Sequence, residues 1–325
     1  SLAASGITGA FLLNDKGVAG SLTVGSIAVT GLPGITASGS AISLDLNTTG
    51  ESVAATIGST TFDFSAADKH DFLAVSGTVN LGLSVGSVSA TLSGTFSFQR
   101  TTLTVNGTPT QIIQVGVTNG STALTVGSVS VSVTGINGAF LINSAGVAGR
   151  LDIGAATLTG VPGLTLTVNS AFLDFNTTGA AAAASIGGQS FDYSESDQFQ
   201  FFAVGGNLDF ALATSAVSVT LSGDFFFEQR TVNLGGPADT SVMFVGLEGV
   251  STSLTVGSGA SGVKIAVSGI TGGFVILDTG VAGLLDVAAF TLTRADGTAL
   301  AGLSTAAVSN IQIQVNTTGA AIAAT

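Results

Sequence analysis

Two short stretches hold the carboxylates best placed to do chemistry. Asp63, Asp68 and Asp71 lie within nine residues, and Asp192, Glu195 and Asp197 within six. Oxygen donors grouped in this way suit a hard cation such as calcium, with main-chain carbonyls completing roughly six to eight ligands. Asp63 and Asp68 recur at matching places as Asp192 and Asp197, so these four are the candidate calcium ligands. Asp71 has no counterpart, because Gln200 stands in its place. Neither a Gly-Gly-x-Gly-x-Asp nonapeptide nor an EF-hand loop accompanies them. The competing reading is a pair of solvated hairpin loops.

His70 is the sole histidine. A hydrolase would pair it with a serine and an aspartate. Phe199 occupies the matching place in the second half of the chain, so the pattern does not depend on an imidazole. No other constellation suggests catalysis, and the expectation is a protein that is not an enzyme.

Asn47, Asn176 and Asn316 each begin an Asn-Thr-Thr-Gly sequence. These fit the N-glycosylation pattern, as do Asn106-Gly107-Thr108 and Asn119-Gly120-Ser121. Recurrence at one place also fits a turn in which Asn bonds its own backbone, and that reading is preferred. The 20 phenylalanines cluster, notably at Phe96/Phe98, Phe199 to Phe202 and Phe225 to Phe227, while there is one Tyr and no Trp. A sugar platform would use Tyr or Trp for their polar handle, so packing is the expected role. Phe225-Phe226-Phe227 predicts burial on both faces of its strand. Arg100 and Arg230, each following a Gln, suit edge charges that block wrong pairing.

What positions these groups is a long repeat. GITGAFLLNDKGVAG starts at Gly6, GINGAFLINSAGVAG at Gly135 and GITGGFVILDTGVAG at Gly269, at offsets of 129 and 134 residues. Around it the chain alternates apolar and polar residues, as in Ser87 to Phe98 and Ala216 to Phe227, which predicts half-buried strands. Gly-Ser pairs at residues 25, 86 and 127, with Gly154-Ala155, suit two-residue hairpin turns. Leu32-Pro33-Gly34 and Val161-Pro162-Gly163 suit Pro-Gly turns. No stretch carries a helical stripe. Ala180 to Ser185 is helix-like in composition, but its counterpart Ser52 to Ile57 holds Val and Thr, so both are predicted as strands.

The expected fold is all-β, with tandem antiparallel hairpin repeats of about 130 residues forming an elongated continuous β structure. Tandem β-sandwich domains are the alternative. The units are 1–127, 128–257 and 258–325. The first starts and the last stops partway through a repeat, which predicts a segment of a longer array or ends completed by neighbouring copies.

Composition sets further bounds. Hydrophobic residues reach 45% while charged ones are only 8% of the 325, against roughly 25% in ordinary soluble domains. A net charge of −12 with seven scattered Lys and Arg argues against nucleic acid and against an anionic membrane surface. No apolar run is long enough for a membrane helix, and the aromatic girdles of a membrane barrel are missing. Cysteine is absent, so no disulfide holds the fold.

The Gly-Val-Ala-Gly turns, Gly-Val-Pro-Gly-Leu-Thr-Leu from Gly160, Val-Asn-Thr-Thr-Gly-Ala from Val315 and Leu-Ser-Gly-Asp-Phe-Phe-Phe from Leu221 resemble the long β-strand repeat modules of giant secreted bacterial adhesin-like proteins. The resemblance spans essentially the whole chain and carries no catalytic residues. It implies an extracellular or cell-surface role as a fibre, filament or surface layer, with other copies or neighbouring repeats as partners. The alternative it implies is an adhesin or glycan-binding stalk, calcium-stabilised, with surface glycans as ligands.

Overall fold

The computed structural model describes residues 1–105, 108–232, 240–300, 302, 306–319 and 321. It is 77% strand and 3% helix, and the helix consists of three single 3-10 turns, at Ala67–Lys69, Ser196–Gln198 and Gly259–Ser261. The first run of strands is β1 (Leu2–Asn14), β2 (Gly17–Val29), β3 (Ile35–Asn47), β4 (Val53–Ile57), β5 (Thr60–Phe64), β6 (Phe72–Val85), β7 (Val88–Val105) and β8 (Thr108–Val126). The second is β9 (Val129–Asn143), β10 (Gly146–Ile153), β11 (Ala155–Thr159), β12 (Leu164–Asn176), β13 (Ala182–Ile186), β14 (Gln189–Tyr193), β15 (Phe201–Ala213), β16 (Val217–Val232) and β17 (Thr240–Val256). A third begins with β18 (Val263–Leu277), β19 (Gly280–Arg294) and β20 (Ala306–Asn316). The elements thus repeat with the sequence, and the alanine-rich stretch is strand β13, as its counterpart β4 predicts.

Sixteen strands belong to one antiparallel sheet, and β4–β5 and β13–β14 stand apart as two-stranded hairpins. The chain divides into two compact units. In the first (1–127, 132–152 and 175–199), β1, β2, β3, β6, β7 and β8 are hydrogen-bonded in that order. In the second (128–131, 153–174 and 200–325), β15 to β20 are likewise joined in sequence order. Each unit keeps its long strands in one sheet, whereas a sandwich would split them into two. No helix among the described residues is long and apolar enough to cross a membrane.

The recurring motif is a hairpin with a particular cross-strand pair. Phe11 lies opposite Gly20, Phe140 opposite Gly149 and Phe274 opposite Gly283. A Cβ at Gly149 would come within 2.4 Å of the Phe140 ring and 2.8 Å of the Ala139 carbonyl. The ring lies across the bare glycine backbone, so the two residues form one packing unit. Gly149→Ala should cost about 1–3 kcal/mol by overpacking, read from chemical denaturation. The motif's first glycine serves differently. Gly6, Gly135 and Gly269 have φ of 64°, 66° and 62°, left-handed values that glycine adopts without the steric cost a side chain would meet.

Several turn readings need correction. Gly-Val-Ala-Gly opens a strand, and the hairpin loop is the Asp15-Lys16 pair before it, with Asn14 Oδ1 accepting from the N–H groups of Lys16 and Gly17. Gly25-Ser26 lies inside β2, with Gly25 facing Gly6 and the register unbroken on either side, from Ser5–Ser26 to Ile7–Val24. Gly86-Ser87 is a two-residue hairpin loop between paired Val85 and Val88, with φ of 60° at Gly86 as a type II′ turn requires. Both Pro-Gly turns form, with Ile35 N–H donating to Leu32 O and Leu164 N–H to Val161 O, each at 3.1 Å.

Candidate functional site

Alternation along each stand-off hairpin makes one face apolar. On β5, Phe62 and Phe64 are buried while Asp63 between them is exposed. On β14, Phe191 and Tyr193 are buried around exposed Asp192. In the first repeat these aromatics join Ala10 and Ala19 of β1 and β2 and Phe72 of β6 in one core cluster. The ring centroids lie 5.6 Å apart for Phe62–Phe64 and 6.0 Å for Phe64–Phe72. The small residues at Ala19 and Ala148 are fully buried, and their size gives each hairpin its seat.

In the second repeat the seat reaches β8. A Cβ on Gly116 would lie 2.8 Å from Ile186 O, and Thr118 Oγ1 donates to Gly187 O at 2.7 Å. Tyr193 OH donates to Gly149 O at 2.9 Å. Phe64 fills the matching place in the first repeat without a hydroxyl, so Tyr193→Phe should retain the packing and lose about 1 kcal/mol for the hydrogen bond. Hydrogen exchange at β13–β14 would measure it.

Each hairpin is held at its root by the Asn-Thr-Thr-Gly sequence. Asn47 is fully buried. Its Nδ2 donates to Glu51 O at 2.9 Å and Lys69 O at 2.8 Å, while Oδ1 accepts from Thr49 N–H at 3.0 Å and Thr49 Oγ1 at 2.7 Å. Thr48 ties this corner to β2, since its Oγ1 accepts from Val18 N–H. Asn176 repeats the arrangement with Ala180 O, Gln198 O and Thr178. One side chain thereby closes the chain where it leaves the sheet and where it returns. A glycan on Nδ2 of Asn47 or Asn176 would displace one of these bonds. Asn316 makes the same bonds to Thr318 but is exposed. Asn119 is exposed within β8, its N–H donating to Asn137 Oδ1. Asn106 lies outside the described residues.

The acidic residues are dispersed around these roots. Hydrogen bonds from the Ser65 hydroxyl and main-chain N–H hold the Asp63 carboxyl below the usual carboxylate range. Asp68 and Asp197 sit in matching 3-10 turns, and the main-chain carbonyl of Asp68 accepts from Thr101 Oγ1. Asp71 pairs with Arg100 at 3.0 Å. Among the described residues no group of three or more His, Asp or Glu is gathered to hold a metal ion. His70 meets the Ser65 carbonyl at 3.4 Å. Its main-chain carbonyl accepts from Gly50 N–H as that of Phe199 does from Gly179 N–H, so the repeat uses the backbone here.

Two sequence readings change. Arg100 and Arg230 are not edge charges, because β7 and β16 are paired on both sides. They are not equivalent either. Arg100 lies opposite Leu73, whereas Gln229 takes that position opposite Phe202 and Arg230 falls one residue on, opposite Phe201 and 4.8 Å from the Phe244 ring. The Phe225-Phe226-Phe227 run is not buried on both sides. Phe226 packs near Phe172 at 6.2 Å, and Phe227 is 42% exposed.

The other face of the sheet is apolar and open. Along β6, Phe72 and Ala74 point to the hairpin, so Leu81, Leu83 and Val85 point to the opposite side. Leu83 continues across the strands through Ala90 to Leu124, and Val85 through Val88 to Val126. Leu83, Leu124 and Val126 are 43%, 48% and 51% exposed. The second unit carries a similar row, Leu212–Val219–Leu254–Ile265–Leu292, across five strands. The hairpin seats and this face were missed from sequence. The signals were Ala at fixed places in the motif, and Leu and Val alternating beyond each Pro-Gly turn. No known protein family matches the chain, and no curated protein matches it either.

Proposed function

We propose that this is a non-enzymatic structural repeat protein that builds a fibre, filament or surface layer by association of copies, outside the cell or at its surface. The observation that carries this reading is the open apolar face. Contiguous exposed apolar surface on a soluble protein marks an interaction site, and here it recurs in both units with the repeat. Low charge supports close approach of copies, and folding without cysteine suits a chain that relies on its repeats. The resemblance to secreted adhesin-like repeats points the same way. Sedimentation velocity tests it. The native chain should associate at micromolar concentration, and Leu83→Lys with Leu124→Lys should shift it toward monomer by about tenfold or more in dissociation constant. A native chain that stays monomeric and is indifferent to these changes would overturn the reading.

A further inference from the structure

The sheet of the first unit has two unlike faces. On β6, Ser76, Thr78 and Asn80 share the hairpin side with Phe72 and Ala74. They continue into the neighbouring strands as rows of small polar residues, Ser43–Ser76–Ser97 and Ser38–Asn80–Ser93–Ser121. Their hydroxyls bond one another, at 2.7 Å for Ser43–Ser76 and Ser93–Ser121 and at 2.9 Å for Thr78–Thr95. The opposite face carries Ile35–Leu83–Ala90–Leu124 and Ala37–Leu81–Leu92–Thr122 in adjacent rows. No charged side chain stands in either row. An antiparallel sheet that alternates in this way commonly seats its apolar face on a core.

One small residue gives that face a shape. Ala90 stands between Leu83 and Leu124, and around it lies an open hollow of about 360 Å³ whose lining includes Ile35, Leu81, Leu83, Leu92 and Thr122. Leu81, Leu83 and Leu124 stand exposed beside it. In the second unit Val219 takes the corresponding place, between Leu212 and Leu254, so that row lacks the small residue.

We infer that the occupant of this face is the same face of a second copy, turned about a two-fold axis that runs along the middle of the β6–β7 hairpin. The inference rests on the reading that copies associate, and adds how they meet. The axis exchanges β6 with β7 and β3 with β8. Leu83 of each copy then stands over Ala90 of the other, large over small, and Ile35 over Leu124. In the next row Leu81 meets Leu92, and Ala37 meets Thr122. Four overlapping strands ~4.8 Å apart, with ten residues of ~3.4 Å each, give about 650 Å² per copy and roughly 1,300 Å² in the pair. That reaches the size of a stable specific interface. Sheets that meet face to face pack ~10 Å apart with strands about 30° from parallel. The contacts nearest the axis, Leu83 on Ala90, are therefore the ones that sheet twist preserves. The hydroxyl rows and the β4–β5 hairpin lie on the far side and stay in water.

The test mixes two variants of the whole chain. Leu83→Ala leaves a void opposite Ala90 of the other copy, and Ala90→Leu sets leucine against leucine. Each variant alone should pair about tenfold more weakly than the native chain in sedimentation velocity, with the melting temperature of the dilute chain unchanged. In an equal mixture, a Leu83→Ala copy and an Ala90→Leu copy restore large against small at both contacts. Mixed pairs should then form within about threefold of the native strength. The substitutions sit on separate chains, so packing within one chain cannot produce this rescue. Mixed pairs no tighter than those of the separate variants, or variants that pair as the native chain does, would overturn the inference and leave the association of copies standing. A native chain that stays monomeric would overturn both. Native chains that float with phosphatidylcholine vesicles and do not pair would overturn it in favour of a lipid surface.

Discussion

Replacing Asn47 with alanine should cost about 3–5 kcal/mol of stability, while the same change at Asn316 should cost about 1 kcal/mol or less. The buried Asn47 amide satisfies two main-chain carbonyls and accepts from two donors of Thr49. Alanine leaves Lys69 O and Thr49 N–H without the amide in a site closed to water, while the Thr49 hydroxyl still donates to Glu51 O at 3.3 Å, and the cost is roughly 1–3 kcal/mol for each group that finds no substitute. Asn176→Ala should match Asn47→Ala, since the bonds are the same. At Asn316 water reaches the site and replaces what is lost. Equal effects at all three positions would mean that the triplet acts through local turn propensity alone. Because the chain contains two compact units, the effect should be read by hydrogen exchange at β4–β5 and β13–β14 as well as by global unfolding.

The second large effect is at the aromatic anchor. Phe64→Ala should lose about 3–5 kcal/mol, the cost of emptying a buried phenylalanine site. Phe64 is 3% exposed, within ring contact of both Phe62 and Phe72. A two-stranded hairpin does not hold its shape alone, so losing the anchor should release β4–β5 as a unit. Exchange should rise across Val53–Phe64 while the ladder between β6 and β7 keeps its protection. A global collapse that includes β6–β7 would show that the hairpin is integral to the sheet. Unchanged exchange in β4–β5 would show that the Asn47 root alone suffices.

The all-β hairpin order was legible because alternation and the 129-residue offset are properties of the strand itself. Strand β13 was legible only through its repeat partner, since alanine composition alone points to helix. The sheet's glycines misled for a physical reason. A glycine inside a strand and one in a turn look alike in sequence, and only the facing residue separates Gly25, opposite Gly6 in a strand pair, from Gly86, in a loop. The one-residue offset of Arg230 was hidden because the shared Gln-Arg pair aligns by identity, whereas the ladder sets the face. The candidate carboxylates read as a loop because Asp63 and Asp192 sit between aromatics whose burial depends on contacts far along the chain. The root function of Asn47 was half visible. Its own turn follows from local chemistry, but the bond to Lys69 O spans 22 residues and no local pattern announces it.

The most direct test of the structural reading is negative-stain electron microscopy of the purified native protein, with and without a calcium chelator. The account predicts ordered polymers under both conditions, because the surface held to drive assembly is the apolar row through Leu83 and Leu124 and involves no carboxylate. Isolated particles under both conditions would contradict assembly itself, and polymers that disperse on chelation would contradict its apolar basis and return Asp63, Asp68, Asp192 and Asp197 to the centre as cation ligands.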